Sequence, residues 1–186
     1  MNGTLVMARS LDSIPRQSLE SYIRALQGSL STGSRVHLGI TIRDPSVSTF
    51  STSFILAALP FFSRSPPKTN TADAANALLI PPSLVIPASA TRTTTPLFTK
   101  LPQVLELLTS GHSPLKIERV QNVSHDYALF LNSHVRNLED DAQVRGNFVH
   151  RWGMRKWRQE RFLTSWEAGA MNAGLLERWT IVVQKS

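Results

Sequence analysis

Apolar positions recur along this chain with two periods, and the switches between them mark its elements. In the last third, residues 115–123 alternate polar with apolar positions (Ile117, Val120, Val123), and residues 179–183 form a β-branched apolar run. Both predict strands. The roughly fifty residues between them hold few helix breakers, so that connection is expected to be helical. A strand, then helices, then a closing strand is a common way to complete an α/β sheet.

The opening has a related pattern. The run Thr4-Leu5-Val6-Met7-Ala8 predicts a strand. Residues 11–15 predict a loop, with Ser13 placed to cap a helix beginning near Pro15. From Ser18 onward Leu19, Tyr22, Ile23, Leu26 and Leu30 fall at helical spacing, and Gly33 marks the stop. Residues 35–42 then read as a strand buried on both faces. Strand, helix, glycine turn and strand make one βαβ unit, which any Rossmann-like crossover shares.

Residues 44–76 differ in kind. Their Pro, Ser, Thr and Asn content predicts a flexible insert, with a short helix through Phe54–Leu59 and a helical turn or two at 72–79. Loops this long in a compact domain serve as lids or docking elements, or are disordered. A proline-rich segment, 78–87, follows. A further helix is expected from Thr93–Pro96 onward, with Leu97, Leu101, Val104, Leu105 and Leu108 on one face and Gly111 at its end.

Length and composition fit one α/β domain over residues 1–186, with 41% hydrophobic and 18% charged residues. The chain has no cysteine, which excludes disulfides, thiolate metal sites and a cysteine nucleophile. Its histidines (37, 112, 125, 134, 150) show no metal-ligand spacing, so no metal is expected. No apolar run reaches the ~20 residues needed to span a bilayer. The first ten residues lack the pattern of a signal peptide, which implies a cytoplasmic location, with peripheral membrane contact compatible with it.

Net charge is +7, which favours anionic partners. Much of the excess lies in a basic run at 145–161, interleaved with Trp152 and Trp157. On a continuous helix Phe148, Trp152, Phe162, Leu163 and Trp166 share a face that reads as core. Trp157 then falls among Arg151, Arg155, Lys156 and Arg158, on a surface suited to anionic lipid headgroups. The same composition suits single-stranded nucleic acid, a less favoured partner, or a plain solvated helix.

The C-terminal third also resembles a family. Asp126-Tyr127-Ala128, Leu131, Asn137-Leu138, Trp157, Phe162-Leu163, Gly174 and Lys185 keep the frame of the C-terminal portion of the cyclopropane-fatty-acid synthases. Asp126, Phe130 and His134 stand where His, Thr and Trp are usual there. Upstream, Ile80-Pro81 and Pro87 are similar in outline to the family's proline segment, with Pro82 and Ser83 in place of two glycines. The resemblance implies an S-adenosylmethionine-dependent methyltransferase acting on lipid acyl chains, with a class-I, Rossmann-like sheet.

In that family a Glu, a His and the Tyr of His-Tyr-Ala hold a bicarbonate that removes a proton after methyl transfer. By position, Asp12, Gly39 and Tyr127 correspond, and only Tyr127 is kept. A role for Tyr127 in chemistry stands beside a packing role, His125 is a candidate base or a solvated loop residue, and Asp12 is a candidate site residue or a turn residue. The family's glycine-rich cofactor turn and acidic strand end are absent from the 186 residues. The expectation is therefore a partial methyltransferase sheet lacking its N-terminal cofactor-binding half. Such a chain is the C-terminal portion of an enzyme, inactive alone, with a protein partner supplying the missing half, a degenerate pseudoenzyme, or a non-catalytic binding or assembly subunit. Whether it is itself an enzyme stays open at this level.

Overall fold

The computed structural model describes residues 6–49, 51–62 and 92–186. The helical turns expected at 72–79, the proline segment 78–87 and the latter part of the 44–76 insert lie outside the described residues.

The elements run in the order β1 (Val6–Ser10), two 3-10 turns (Leu11–Ser13 and Arg16–Ser18), α1 (Leu19–Ser29) and β2 (Arg35–Arg43). They continue with α2 (Thr52–Phe62), α3 (Thr95–Phe98), α4 (Leu101–Thr109) and β3 (Leu115–Asn122). The chain then forms α5 (Ser124–Asp140), α6 (Ala142–Trp152), α7 (Met154–Asn172) and β4 (Leu176–Lys185). One four-stranded sheet has the order β1-β2-β4-β3. β1 and β2 are parallel and joined through α1, which is the βαβ unit the opening pattern predicts. β4 then inserts antiparallel between β2 and β3, pairing Arg35 with Gln184 at one end and Arg43 with Leu176 at the other.

Two apolar layers cover the sheet. The alternate residues Val36, Leu38, Ile40 and Ile42 of β2 pack with Ile181 and Val183 of β4 against Ile23 and Leu26 of α1 and Val104 and Leu108 of α4. The second layer joins Phe54, Ala57, Ala58 and Phe61 of α2, Leu97 of α3, Ala128 and Leu131 of α5, and Ala168, Ala170 and Met171 of α7 with Leu176. α2 falls inside the stretch expected to be a flexible insert, and its buried alanines and phenylalanines make it part of this layer.

The single helical face expected through Phe148, Trp152, Phe162, Leu163 and Trp166 does not form. Gly153 adopts φ +82° and separates α6 from α7, so the two helices lose a common phase. On α7 the covered face is instead Glu160, Leu163, Thr164, Glu167, Ala168, Ala170 and Met171, while Phe162 is 53% exposed. The helix Thr93–Pro96 was expected to start is split as well. Thr99 and Lys100 are extended, and α3 and α4 lie on either side of them.

α7 turns directly into β4. Gly174, at φ +68°, lets the Leu175 amide donate back to Ala170 O at 2.9 Å, and the Gly174 amide donates to Met171 O at 3.0 Å. This left-handed close is open to glycine because it has no Cβ to clash. It delivers the chain into the sheet's interior strand within a few residues, and Arg178 lands under α5.

Ile181→Ala, which empties a fully buried position on the interior strand, should cost about 3 kcal/mol in urea unfolding. Phe162→Ser, on the exposed side of α7, should change stability by no more than about 0.5 kcal/mol.

Candidate functional site

The polar centre of the molecule lies on the second face of the sheet, beneath α5 and α7. It begins with Asp12, in the 3-10 turn directly after β1. Its carboxylate accepts from the Thr41 amide at 2.7 Å and the Thr41 hydroxyl at 2.9 Å. It also receives a close ion-pair hydrogen bond from the Arg178 guanidinium. Arg178 further donates to the Thr41 hydroxyl at 3.0 Å and to the Ser10 hydroxyl at 3.4 Å. Its guanidinium carbon lies 4.5 Å from the centre of the Tyr127 ring, a cation–π stack.

Local structure explains this convergence. Thr41 and Arg178 are cross-strand partners on β2 and β4, so their side chains share a face. The Val123 amide donates to Arg178 O and the Arg178 amide donates to the Ser124 hydroxyl, both at 2.8 Å. The start of α5 is thereby tied to the residue that carries the guanidinium, and Tyr127, one turn on, lies over it. The Thr93 hydroxyl donates to Asp12 O at 2.8 Å, anchoring the strand-end turn from another side.

Gly39 completes the arrangement. A Cβ at this position would clash with the Arg178 guanidinium. The space in which the resemblance implies a histidine is filled here by a cation from β4. Neither the spacing of Arg178 nor its setting in an apolar strand marked it as part of a site. A charged residue alternating into a buried β-branched run was the available signal.

A second pair lies in the same layer. Arg92 and Glu167, each side chain 5% exposed, form a close ion pair. Arg92 also approaches the Thr164 hydroxyl at 3.5 Å, while its Nη1 is buried with no hydrogen-bond partner among the described residues. Burial pushes the Glu167 carboxyl up, against the opposing pull of Arg92. Burial works against the charge on Arg178, but Asp12, then Tyr127 and Glu167, more than restore it, so its pKa is raised. The Tyr127 phenol is pushed up to about 12 by burial, with Arg178 pulling it down and Glu167 and Asp12 pushing it up. At neutral pH it is a protonated phenol that can donate a hydrogen bond, and it is no base.

The structure thus brings Asp12 and Tyr127 together through Arg178. His125 is exposed on the first turn of α5 and does not share their cluster. Among the predicted anion-contacting residues, Arg151, Arg155 and Arg158 are exposed. Trp157 is not free among them, because its indole donates to Leu138 O at 3.0 Å and Arg161 stacks on its ring at 4.3 Å. Arg161 is in turn paired with Glu139. Lys156 is partly buried and reaches Gln159 at 3.3 Å. Among the described residues no group of His, Asp and Glu is arranged to hold a metal ion, and no helix is long and apolar enough to cross a membrane.

Removing one partner of a largely buried ion pair strands the other. Since both side chains keep some exposure, 11% for Arg178 and 15% for Asp12, Arg178→Met should cost about 3 kcal/mol in denaturant unfolding. Gly39→Ala should also destabilise the wild-type chain, yet cost little in the Arg178→Met background. Equal costs in both backgrounds would show that the two positions are uncoupled. In an absorbance titration, the difference between the wild type and Tyr127→Phe should reveal a phenol ionising near pH 12. The folded state holds this proton more tightly than the unfolded chain. The associated stability is complete below pH ~10 and lost as pH rises through the folded value.

No family model and no curated protein sequence matches the chain. Solved structures do. The mycolic acid cyclopropane synthase CmaA1, complexed with SAH and CTAB, aligns with a TM-score of 0.56 and 13% identity over 100% of this chain and 57% of that one. Its apo form aligns at 0.53 and 12%, over 60% of its length. Phosphoethanolamine N-methyltransferase 2 of Haemonchus contortus, in complex with phosphomonomethylethanolamine and S-adenosylhomocysteine, aligns at 0.55 and 12%, over 98% of this chain and 33% of that one. The chain therefore spans between a third and three-fifths of these relatives. At such identities the likeness shows the fold alone: this chain's α/β fold is similar to that of part of these methyltransferase and cyclopropane synthase structures.

Proposed function

We propose that this chain forms part of a cyclopropane-synthase-like methyltransferase directed at lipid acyl chains, and that it does not transfer a methyl group alone. The observation that carries this reading is the guanidinium of Arg178 over Gly39. In the related chemistry a bound anion removes the proton left after methyl transfer. Here Asp12 and Tyr127 converge on a cation already neutralised by Asp12, with Tyr127 protonated at neutral pH. No group in the cluster is poised to accept a proton, so the pair serves to hold the scaffold.

The described residues do not fit the S-adenosylmethionine cofactor. Ligands of open α/β sheets bind beyond the carboxyl ends of the strands. The turn after β1 is a tight 3-10 turn whose carboxylate is committed to Thr41 and Arg178. The positive-φ glycines Gly33 and Gly111 precede β2 and β3, at the amino ends. The cofactor would have to be held by residues other than these, in another segment or a partner chain. No methyl-transfer step is assigned to the residues described.

The second reading, a non-catalytic binding or assembly subunit on the same scaffold, is favoured by one feature. Among the described residues β1 pairs with β2 alone, leaving its other edge to accept a further strand.

Calorimetric titration of the purified chain with S-adenosylmethionine should give no heat of binding. A micromolar dissociation constant would sink the proposal that the chain lacks the means to hold its cofactor.

A further inference from the structure

The outer face of α7 is divided into a raised half and a hollow half. Arg155, Arg158, Phe162, Trp166, Gly169 and Ala173 fall within roughly 80° of one another around this helix, a stripe about 27 Å long. The N-terminal half carries the bulk and the charge. Phe162 is 53% exposed, and Arg155 and Arg158 are exposed and make no ion pair among the described residues. In the C-terminal half α7 and α2 enclose an open apolar groove of about 460 Å³, where Gly169 and Ala173 offer little side chain and Leu56 and Trp166 stand on either side. The Trp166 indole donates to Leu56 O at 2.8 Å, and the Phe162 ring lies 5.7 Å from the Trp166 ring. Knob and groove are therefore held in place before any contact forms.

A ridge with bulk at one end and a hollow at the other is complementary to itself when two copies meet antiparallel about a twofold axis. An axis crossing α7 between Ser165 and Trp166 sets Phe162 level with the partner's Gly169, and Arg158 level with the partner's Ala173. Each Phe162 then faces the groove of the other copy, and the two helix dipoles run in opposite directions, which is favourable. Charge matches in the same register. Arg155 comes level with the partner's Leu176, beside which the Asp44 amide donates to Leu175 O at 3.1 Å. The Asp44 carboxylate accepts from the amide and the hydroxyl of Ser46, both on Oδ1, which leaves Oδ2 without a bond among the described residues. On α2, Ile55, Leu56 and Leu59 are 61%, 42% and 36% exposed and widen the apolar strip. A strip about 27 Å long and two helices wide covers about 600 Å² on each copy, about 1,200 Å² in all, the lower end of the range for specific interfaces.

We infer that two copies of this chain associate through α7 and α2, with Phe162 of each entering the groove of the other and Arg155 pairing with the partner's Asp44. The inference rests on this surface alone. It needs no cofactor and uses no residue of β1, so it stands separately from the methyl-transfer reading and from strand addition at that edge.

Sedimentation velocity of the full chain between about 1 and 100 micromolar should show the mass rising from one chain to two. Each substitution enters a twofold interface twice, so Phe162→Asp should raise the dissociation constant at least about a hundredfold. Gly169→Leu should do the same from the other side of the contact by filling the groove. A Cβ there meets nothing within 4 Å, so the monomer keeps its fold, and circular dichroism of both variants should match the wild type. Arg155→Glu should weaken association at least about tenfold, and adding Asp44→Arg to the same chain should restore it by rebuilding the pair across the axis. A wild type that stays a single chain throughout this range, or a dimer that survives both Phe162→Asp and Gly169→Leu, would overturn the inference. So would a charge swap that leaves association as weak as Arg155→Glu alone, because the antiparallel register requires the two positions to meet.

Discussion

A buried guanidinium is expensive to maintain, and the arrangement of this fold around Arg178 follows from that cost. Asp12 meets its charge, Thr41 and Ser10 accept its remaining hydrogen bonds, and the Tyr127 ring covers its face. The partners come from three regions: β1 with the turn after it, the strand β2 and the helix α5. One side chain on β4 therefore ties three otherwise separate parts of the chain to a single point. The backbone of the same residue holds the start of α5, so helix and guanidinium cannot shift independently.

The same interaction bears on what the molecule can do chemically. In a low-dielectric layer an acid and a base paired with each other leave little free charge for a ligand. Tyr127 is kept protonated by burial, and Glu167 is raised by burial while held by Arg92. The cluster has the composition of an active site and the connectivity of a structural clamp.

Polarity is distributed unusually on α7. Its buried face carries two glutamates and a threonine, whereas its outer face carries Phe162 and part of Trp166 beside arginines. A helix facing only water would show the reverse. Arg92 pairs with the buried Glu167, and His134 approaches the buried Glu160 at 3.8 Å. Of the outer aromatic residues, Trp166 is held by its indole hydrogen bond to Leu56 O, and the Phe162 ring lies 5.7 Å from it.

Much of the fold was legible in sequence because periodicity reports burial locally. The Leu19–Leu26 stripe and the apolar run at 35–42 lead to α1 and β2 whatever the rest of the chain does, although β2 is buried chiefly on one face, and Gly33 marks a turn with a left-handed residue. Tyr127 and Asp12 could be singled out from the resemblance, but not their connection, since 166 residues separate Asp12 from Arg178 and no pattern relates them. Only strand order settled it: inserting β4 between β2 and β3 sets Arg178 opposite Thr41 and above a glycine with room for it. The phase of α7 was likewise beyond local reading, because Gly153 interrupts the helix and tertiary packing then chose the polar stripe as the inner face. Local residue order determined which segments become helices and strands; the pairing of distant strands decided which charges meet, because that depends on geometry that no single stretch of chain contains.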